Sequence, residues 1–145
     1  MRFSNFSLPT SLNEVIVCAH DLKWDLHNLA EYSGMNVGTD GTVSLEWIVH
    51  PNPHRPHDKR FAGCAFIFRD LKMLKVSGRD VALPKTEDIT LHGISRVLPT
   101  DLSPYLISKK KNDWTLETDF HLLFEFRGGL SIIIDADEVE FLTRN

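Results

Sequence analysis

The chain has 145 residues, of which 42% are hydrophobic and 25% are charged, and its formal net charge is −4. This composition excludes wholesale disorder and is sufficient for a single domain, 1–145, with a substantial core. The acidic balance argues against general nucleic-acid binding, because that function needs a cationic surface to neutralise phosphates.

Targeting and redox features indicate a cytoplasmic protein. The segment 1–10 lacks the basic region and apolar core of a secretory signal, and no apolar stretch approaches the ~20 residues of a membrane helix. Cys18 and Cys64 are the only cysteines, and each lies among apolar neighbours. We therefore expect two buried free thiols and no association with a membrane.

The segment 12–30 fits two structures. Ser11–Glu14 matches a capping box that would begin a short helix. The β-rich run Val15–Val17 slightly favours a strand instead. Within this segment, His20 and Asp21 could form an oriented general base, but neighbours in a strand point to opposite faces. We therefore interpret them as a polar pair between two strands.

After residue 30, the alternation of apolar and polar residues that is typical of strands becomes clearer. Gly34–Gly41 is typical of a loop, and Thr42–Val49 alternates as a strand with one apolar face. Cys64–Phe68 is apolar on both faces, as in a central strand. After Arg69-Asp70, the apolar positions Leu71 and Met73 resume one residue out of step, which predicts a bulge or bend.

The last third of the chain contains the strongest pattern. A strand is predicted from Ile89 to Leu98, with a kink at Gly93, and an irregular stretch follows. Phe120–Ala136 then predicts a hairpin whose three-residue loop, Arg127–Gly129, places Phe126 opposite Leu130 and Gly129 in the left-handed region. An acidic turn at 135–138 is expected to precede a short last strand.

These elements predict a mainly β fold. Seven or eight antiparallel strands with short connections favour a sandwich or a bent, barrel-like sheet, with at most one or two short helices.

A histidine-rich loop is one candidate site. His50, His54 and His57 lie within eight residues and are followed by Asp58. Imidazole nitrogens suit Zn²⁺ or Ni²⁺. The interspersed prolines, however, would hold the loop extended and separate the three rings. The alternatives are therefore a metal site and a solvated loop, and we expect no resident cofactor.

A second candidate site lies in the irregular stretch. Lys109, Lys110 and Lys111 precede Trp114. An exposed tryptophan surrounded by charge is typical of a protein-binding anchor. Trp24 and Trp47 are expected in the core, since most rings of a small β domain are buried.

The order of features resembles that of small β-rich bacterial proteins of unknown function, some of them grouped with the immunity proteins of polymorphic toxin systems. The features that carry this resemblance are His20-Asp21-Leu22, the bent strand Phe66–Leu71, and the Gly-Gly hairpin followed by Asp135–Asp137. The resemblance implies a binding protein without catalytic residues. An acidic surface would suit a basic toxin domain as its partner.

Two functional hypotheses follow. The first is a non-enzymatic protein-binding module, of immunity type, that neutralises a toxin. The second is a metal-binding domain or metal-dependent enzyme that uses the loop His50–His57. Convergence of the imidazoles on one point would favour the second hypothesis.

Overall fold

The computed structural model describes residues 1–9, 13–50, 61–98 and 120–145. These residues form ten strands and one short 3-10 helix, Lys85–Ile89, which confirms the mainly β prediction. The strands are β1 (Arg2–Ser4), β2 (Phe6–Ser7), β3 (Ile16–Ala19), β4 (Leu22–Asp25), β5 (Ala30–Val37), β6 (Val43–Val49), β7 (Gly63–Ser77), β8 (Leu91–Val97), β9 (His121–Phe126) and β10 (Ser131–Arg144). In these ranges no helix is long and apolar enough to cross a membrane.

The larger sheet has the strand order β5–β6–β7–β10–β9–β8 and curls into a half-barrel. Its longest pairing joins β10 to β7. The other edge of β10 pairs first with β9 and then, in parallel, with β1. β2, β3 and β4 form a separate three-stranded antiparallel sheet.

The smaller sheet packs on the face of the larger sheet that carries Phe66 and Phe141. The ring of Phe6 lies 5.4 Å from that of Phe66, and the ring of Trp24 lies 5.6 Å from that of Phe141, measured between centroids. Trp47 is 2% exposed, and its ring lies 5.5 Å from that of Phe66. The predicted burial of Trp24 and Trp47 is therefore confirmed, and edge-to-face aromatic contacts join the two sheets.

Between residues 13 and 30 the strand interpretation is correct. Ala19 and Leu22 are paired across the β3–β4 hairpin, and His20 and Asp21 form its two-residue turn. Both turn residues have positive φ angles, 53° and 61°. Two consecutive positive φ angles identify a type I′ turn, whose twist matches that of a β-hairpin. His20 and Asp21 therefore connect two strands, as expected.

β7 bends where the sequence predicts. Asp70 has a φ of 54°, and the pairing with β10 shifts between Met73–Asp135 and Leu71–Ala136. Leu71 packs against the main core, whereas Met73 packs on the opposite face against Val97, Leu123 and Ile133. The expectation that Leu71 and Met73 share a face was therefore wrong, because a bulge changes the face on which the next residue lies.

The prediction of an acidic turn followed by a short last strand was wrong, because both segments belong to β10. Asp135–Glu138 lies inside one continuous strand that ends at Arg144. Ala136 and Val139 are both fully buried although they are three residues apart. An irregularity within the strand therefore shifts the alternation by one residue: the positions in the main core are even-numbered up to Ala136 and odd-numbered from Val139, and the pairing continues.

The predicted loop at Gly34–Gly41 is also corrected. β5 extends to Val37, and only the residues after it form the turn to β6. The pairing with β6 shifts between Tyr32 and Gly34, where Gly34 has a φ of 147°. A glycine in a strand is typical of such a bulge, which explains why its sequence suggested a loop.

The closing hairpin has the predicted register. The N–H of Phe126 donates to the carbonyl of Leu130 over 2.9 Å, and Gly129 has a φ of 83°. Ile132 lies opposite Phe124, and both side chains are at most 1% exposed. The alternating apolar residues of both strands therefore face the main core together.

At Gly93, where a kink was predicted, residues 13 and 14 pack closely against β8. The pairing of β8 with β9 shifts between Leu91 and Gly93. A Cβ atom at Gly93 would lie 2.8 Å from the Cα of Asn13. Beside it, Glu14 and Ile94 exchange backbone hydrogen bonds of 2.9 and 2.7 Å. The absence of a side chain at Gly93 thus lets residues 13 and 14 reach the free edge of β8.

Replacement of Leu122 or Ile132 by alanine is expected to lower the free energy of unfolding by about 2–4 kcal/mol, because each leaves a cavity in the core. Urea melts measure this change. Val81 is 86% exposed, so Val81→Ala is a matched control that should stay within about 0.5 kcal/mol. Losses below about 1 kcal/mol for both core variants would mean that the hairpin is peripheral to stability.

Gly93→Ala is expected to destabilise the fold by about 1–3 kcal/mol, because the added methyl group would overlap backbone atoms that cannot rotate away. Gly78→Ala is the control, since a Cβ atom there meets nothing within 4 Å. Equal melting curves for the two variants would contradict the close approach of Asn13.

Candidate functional site

One of the three histidines of the candidate metal site is described. His50 Nε2 lies 3.3 Å from Glu31 Oε2, and both side chains are more than half exposed. His54 and His57 lie outside the described residues. Within the described ranges, no three His, Cys, Asp or Glu side chains are grouped closely enough to hold a metal ion. Convergence of His50, His54 and His57 therefore stays a prediction.

The candidate partner-binding residues Lys109, Lys110, Lys111 and Trp114 also lie outside the described residues. Their role as a charged rim around an aromatic anchor stays a prediction.

The two thiols differ in environment. Cys64 is fully buried, and desolvation raises its pKa to about 12. Cys18 is only partly buried and lines an open groove beside the β3–β4 turn. The expectation of two buried thiols is therefore right for Cys64 and wrong for Cys18, which lies on the side of its hairpin opposite the core-facing Val17.

The two histidines of β8 and β9 differ in burial. His92 is exposed and His121 is buried. His121 Nδ1 lies 3.4 Å from Asp135 Oδ1. This separation exceeds that of a well-formed N–H···O hydrogen bond, so the two groups are close but not firmly bonded.

The carboxylates of β10 have basic neighbours. Glu138 pairs with Arg2 over 2.6 Å, Glu140 pairs with Arg69 over 2.9 Å, and Asp137 pairs with Lys72. The hydrogen bond from Arg2 lowers the pKa of Glu138. These carboxylates thus connect β10 to adjacent strands, and they are not the solvated acidic turn that the sequence suggested.

β5 forms an open edge of the half-barrel. It is last in the strand order, and no strand of the described residues pairs with its outer side. Unpaired N–H and C=O groups along a strand edge are a template for pairing with another extended chain. Its sequence, Ala30–Val37, contains neither lysine nor proline, the residues that most often block such edges.

Apolar side chains near the end of β5 remain exposed. Met35 is paired with Leu45, and Val37 is paired with Val43. Leu45 and Val43 are fully buried, but Met35 is 37% exposed and Val37 is 56% exposed. The apolar row of the core therefore continues onto β5, where it reaches solvent beside the unpaired backbone.

Negative charge lies at both ends of the β5 edge. Glu31 is about half exposed near its start. Asp40, in the turn after β5, accepts hydrogen bonds from the Thr42 hydroxyl over 2.7 Å and the Thr42 backbone N–H over 3.0 Å. These bonds lower the pKa of Asp40 and keep it ionised. The edge thus combines backbone hydrogen-bonding groups, apolar contacts and acidic ends.

A second cluster was missed by the sequence interpretation. The guanidinium carbon of Arg96 lies 5.2 Å from the ring centroid of Phe3 and 5.4 Å from that of Phe120. Arg96 lies opposite Leu122 on the core-facing side of β8. An arginine two residues after the buried Ile94, and hence on the same face, was the sequence signal that could have identified it.

Comparisons of the chain with protein-family models, curated proteins and solved structures find no match.

Native labelling should distinguish the two thiols. At pH 8 we expect an alkylating reagent to modify Cys18 within minutes and to leave Cys64 unmodified, because thiol reactivity requires the thiolate and the Cys64 pKa is raised to about 12. Mass spectrometry of peptides gives the readout. Cys18→Ser should abolish labelling until the protein is unfolded in urea. Rapid native labelling of Cys64 would contradict its burial.

Proposed function

We propose that the protein is a non-enzymatic protein-binding module, of immunity type, that pairs the open edge of β5 with an extended segment of its partner. The observation that supports this proposal most strongly is the exposure of Val37 and Met35 beside an unpaired strand edge. Main-chain hydrogen bonds would supply affinity, and the apolar side chains would supply contacts that depend on the partner's sequence.

Charge indicates the kind of segment that would pair best. Glu31 and Asp40 flank the edge, and the whole chain carries a net charge of −4. Complementary charge accelerates encounter and disfavours wrong partners. The partner is therefore a protein that presents an extended, basic segment, which agrees with the basic toxin domain implied by the family resemblance.

Replacement of Val37 by lysine tests this interface. The substitution places positive charge on the apolar part of the edge, so we expect the dissociation constant for the partner to rise at least tenfold. Val37 is already 56% exposed, so the urea midpoint should be unchanged. Val81→Lys is the matched control, because Val81 is even more exposed and lies in a turn away from β5.

The measurement begins with immobilised chain and lysate from the native cell. A candidate partner is a protein that wild-type and Val81→Lys chains retain and Val37→Lys loses, and calorimetry with the purified pair then gives the affinities. A partner bound equally by all three chains would exclude the β5 edge. Binding that is lost instead with Lys109→Glu, Lys110→Glu, Lys111→Glu or with Trp114→Ala would place the interface at those residues.

The metal hypothesis has its own test. Calorimetric titration with Zn²⁺ and Ni²⁺ should show no stoichiometric binding if the loop is solvated. Micromolar binding that disappears in the double variant His54→Ala, His57→Ala would overturn the proposal in favour of a metal-binding domain.

A further inference from the structure

Arg96 differs from the other described arginines in its partners. Arg2, Arg69, Arg79, Arg127 and Arg144 each lie within 3.0 Å of a carboxylate oxygen. Among the described residues, no carboxylate lies within ion-pair distance of Arg96, and its buried Nε atom has no hydrogen-bond partner. Its guanidinium is therefore a cation whose hydrogen-bonding capacity is not used by the described part of the fold.

The environment holds this guanidinium in place. Phe3 comes from β1, and Phe120 immediately precedes β9; their rings lie 5.6 Å apart, nearly perpendicular to each other. Cation–π contact with both rings restricts the guanidinium without consuming any of its N–H groups. Its side chain is about half-buried, and desolvation lowers the pKa of Arg96. Partial removal from water also strengthens the attraction of any anion that reaches it.

Loss of water without a counter-charge is unfavourable for a cation, and aromatic rings compensate for it only in part. An oxyanion would supply both the charge and the hydrogen-bond acceptors that the described residues do not provide. The planar fork of a guanidinium matches two oxygens of a carboxylate or a phosphate, whereas an ammonium group offers only a point charge.

We propose that Arg96, held between Phe3 and Phe120, is an oxyanion-binding residue that takes a carboxylate or phosphate group through a two-pronged hydrogen bond. The site shares no residue with the β5 edge, because Arg96 lies on β8, which pairs with β9 and not with β5. A carboxylate and a phosphate would both be recognised in this way. Titration with one anion of each class shows which of them Arg96 binds better.

The experiment follows the arginine Nε–Hε signals of the full chain by nuclear magnetic resonance. Sodium phosphate and sodium acetate are titrated separately, with total ionic strength held constant by sodium chloride. We expect the Arg96 signal to shift and saturate at millimolar concentrations of at least one of the two anions. The better probe identifies the class of the natural group.

Arg144 is the internal reference, since its two terminal nitrogens already contact both oxygens of Glu46 at 2.8 and 2.9 Å. Its signal should move much less than that of Arg96. Equal shifts of Arg96 and Arg144, or no shift of Arg96 with either anion, would overturn the proposal.

Two variants test whether anion binding depends on the planar guanidinium and its aromatic neighbours or on positive charge alone. Arg96→Lys keeps the cation but lacks the planar fork, so anion binding, followed by the shifts of nearby backbone amides, should weaken at least tenfold. Phe120→Leu keeps an apolar side chain but removes one ring, so the affinity should fall severalfold while the Arg96 signal remains observable. Unchanged anion affinity in Arg96→Lys would contradict two-pronged recognition.

Discussion

The pairing of β10 with β7 is the constraint on which the rest of the fold depends. It runs from Ser131 opposite Ser77 to Arg144 opposite Gly63. The first half of β10 receives β9 on its other edge, and the second half receives β1. The extra residue of β7 near Lys72 bends this long ribbon, and the bend lets the sheet curl around the aromatic core. Both ends of the chain and the closing hairpin are therefore positioned by one strand.

Sequence patterns predicted those elements whose structure is set by neighbouring residues. Alternation from Phe120 to Ile134 and the glycine pair at 128–129 were sufficient for the hairpin register, because turn geometry and side-chain period fix it together. The positive φ of Asp70 agrees with the break in alternation after Phe68. In these cases local preference and tertiary packing favour the same structure.

The failures arose where distant contacts override local preference. Asp137 and Glu138 suggested a turn, yet Lys72 and Arg2 neutralise them inside a continuous strand. Gly34 suggested a loop but occupies a bulge. The environment of Arg96 could not be predicted either, because it depends on Phe3, which reaches this position through the parallel pairing of β1 with β10. The β5 edge likewise follows from strand order, which alternation alone does not determine.

The two outer strands of the half-barrel, β5 and β8, differ in how far the backbone groups on their outer sides are already paired. This difference limits how the molecule can assemble. At the β8 side, Glu14 already occupies the backbone groups of Ile94. Pairing at the β5 side is open, within the described ranges. A sheet with two free edges can add copies indefinitely and grow into a fibre, whereas one free edge is used up by a single partner. Association through the β5 edge should therefore stop at a closed pair of strands, because pairing uses up the one open edge of the described sheet.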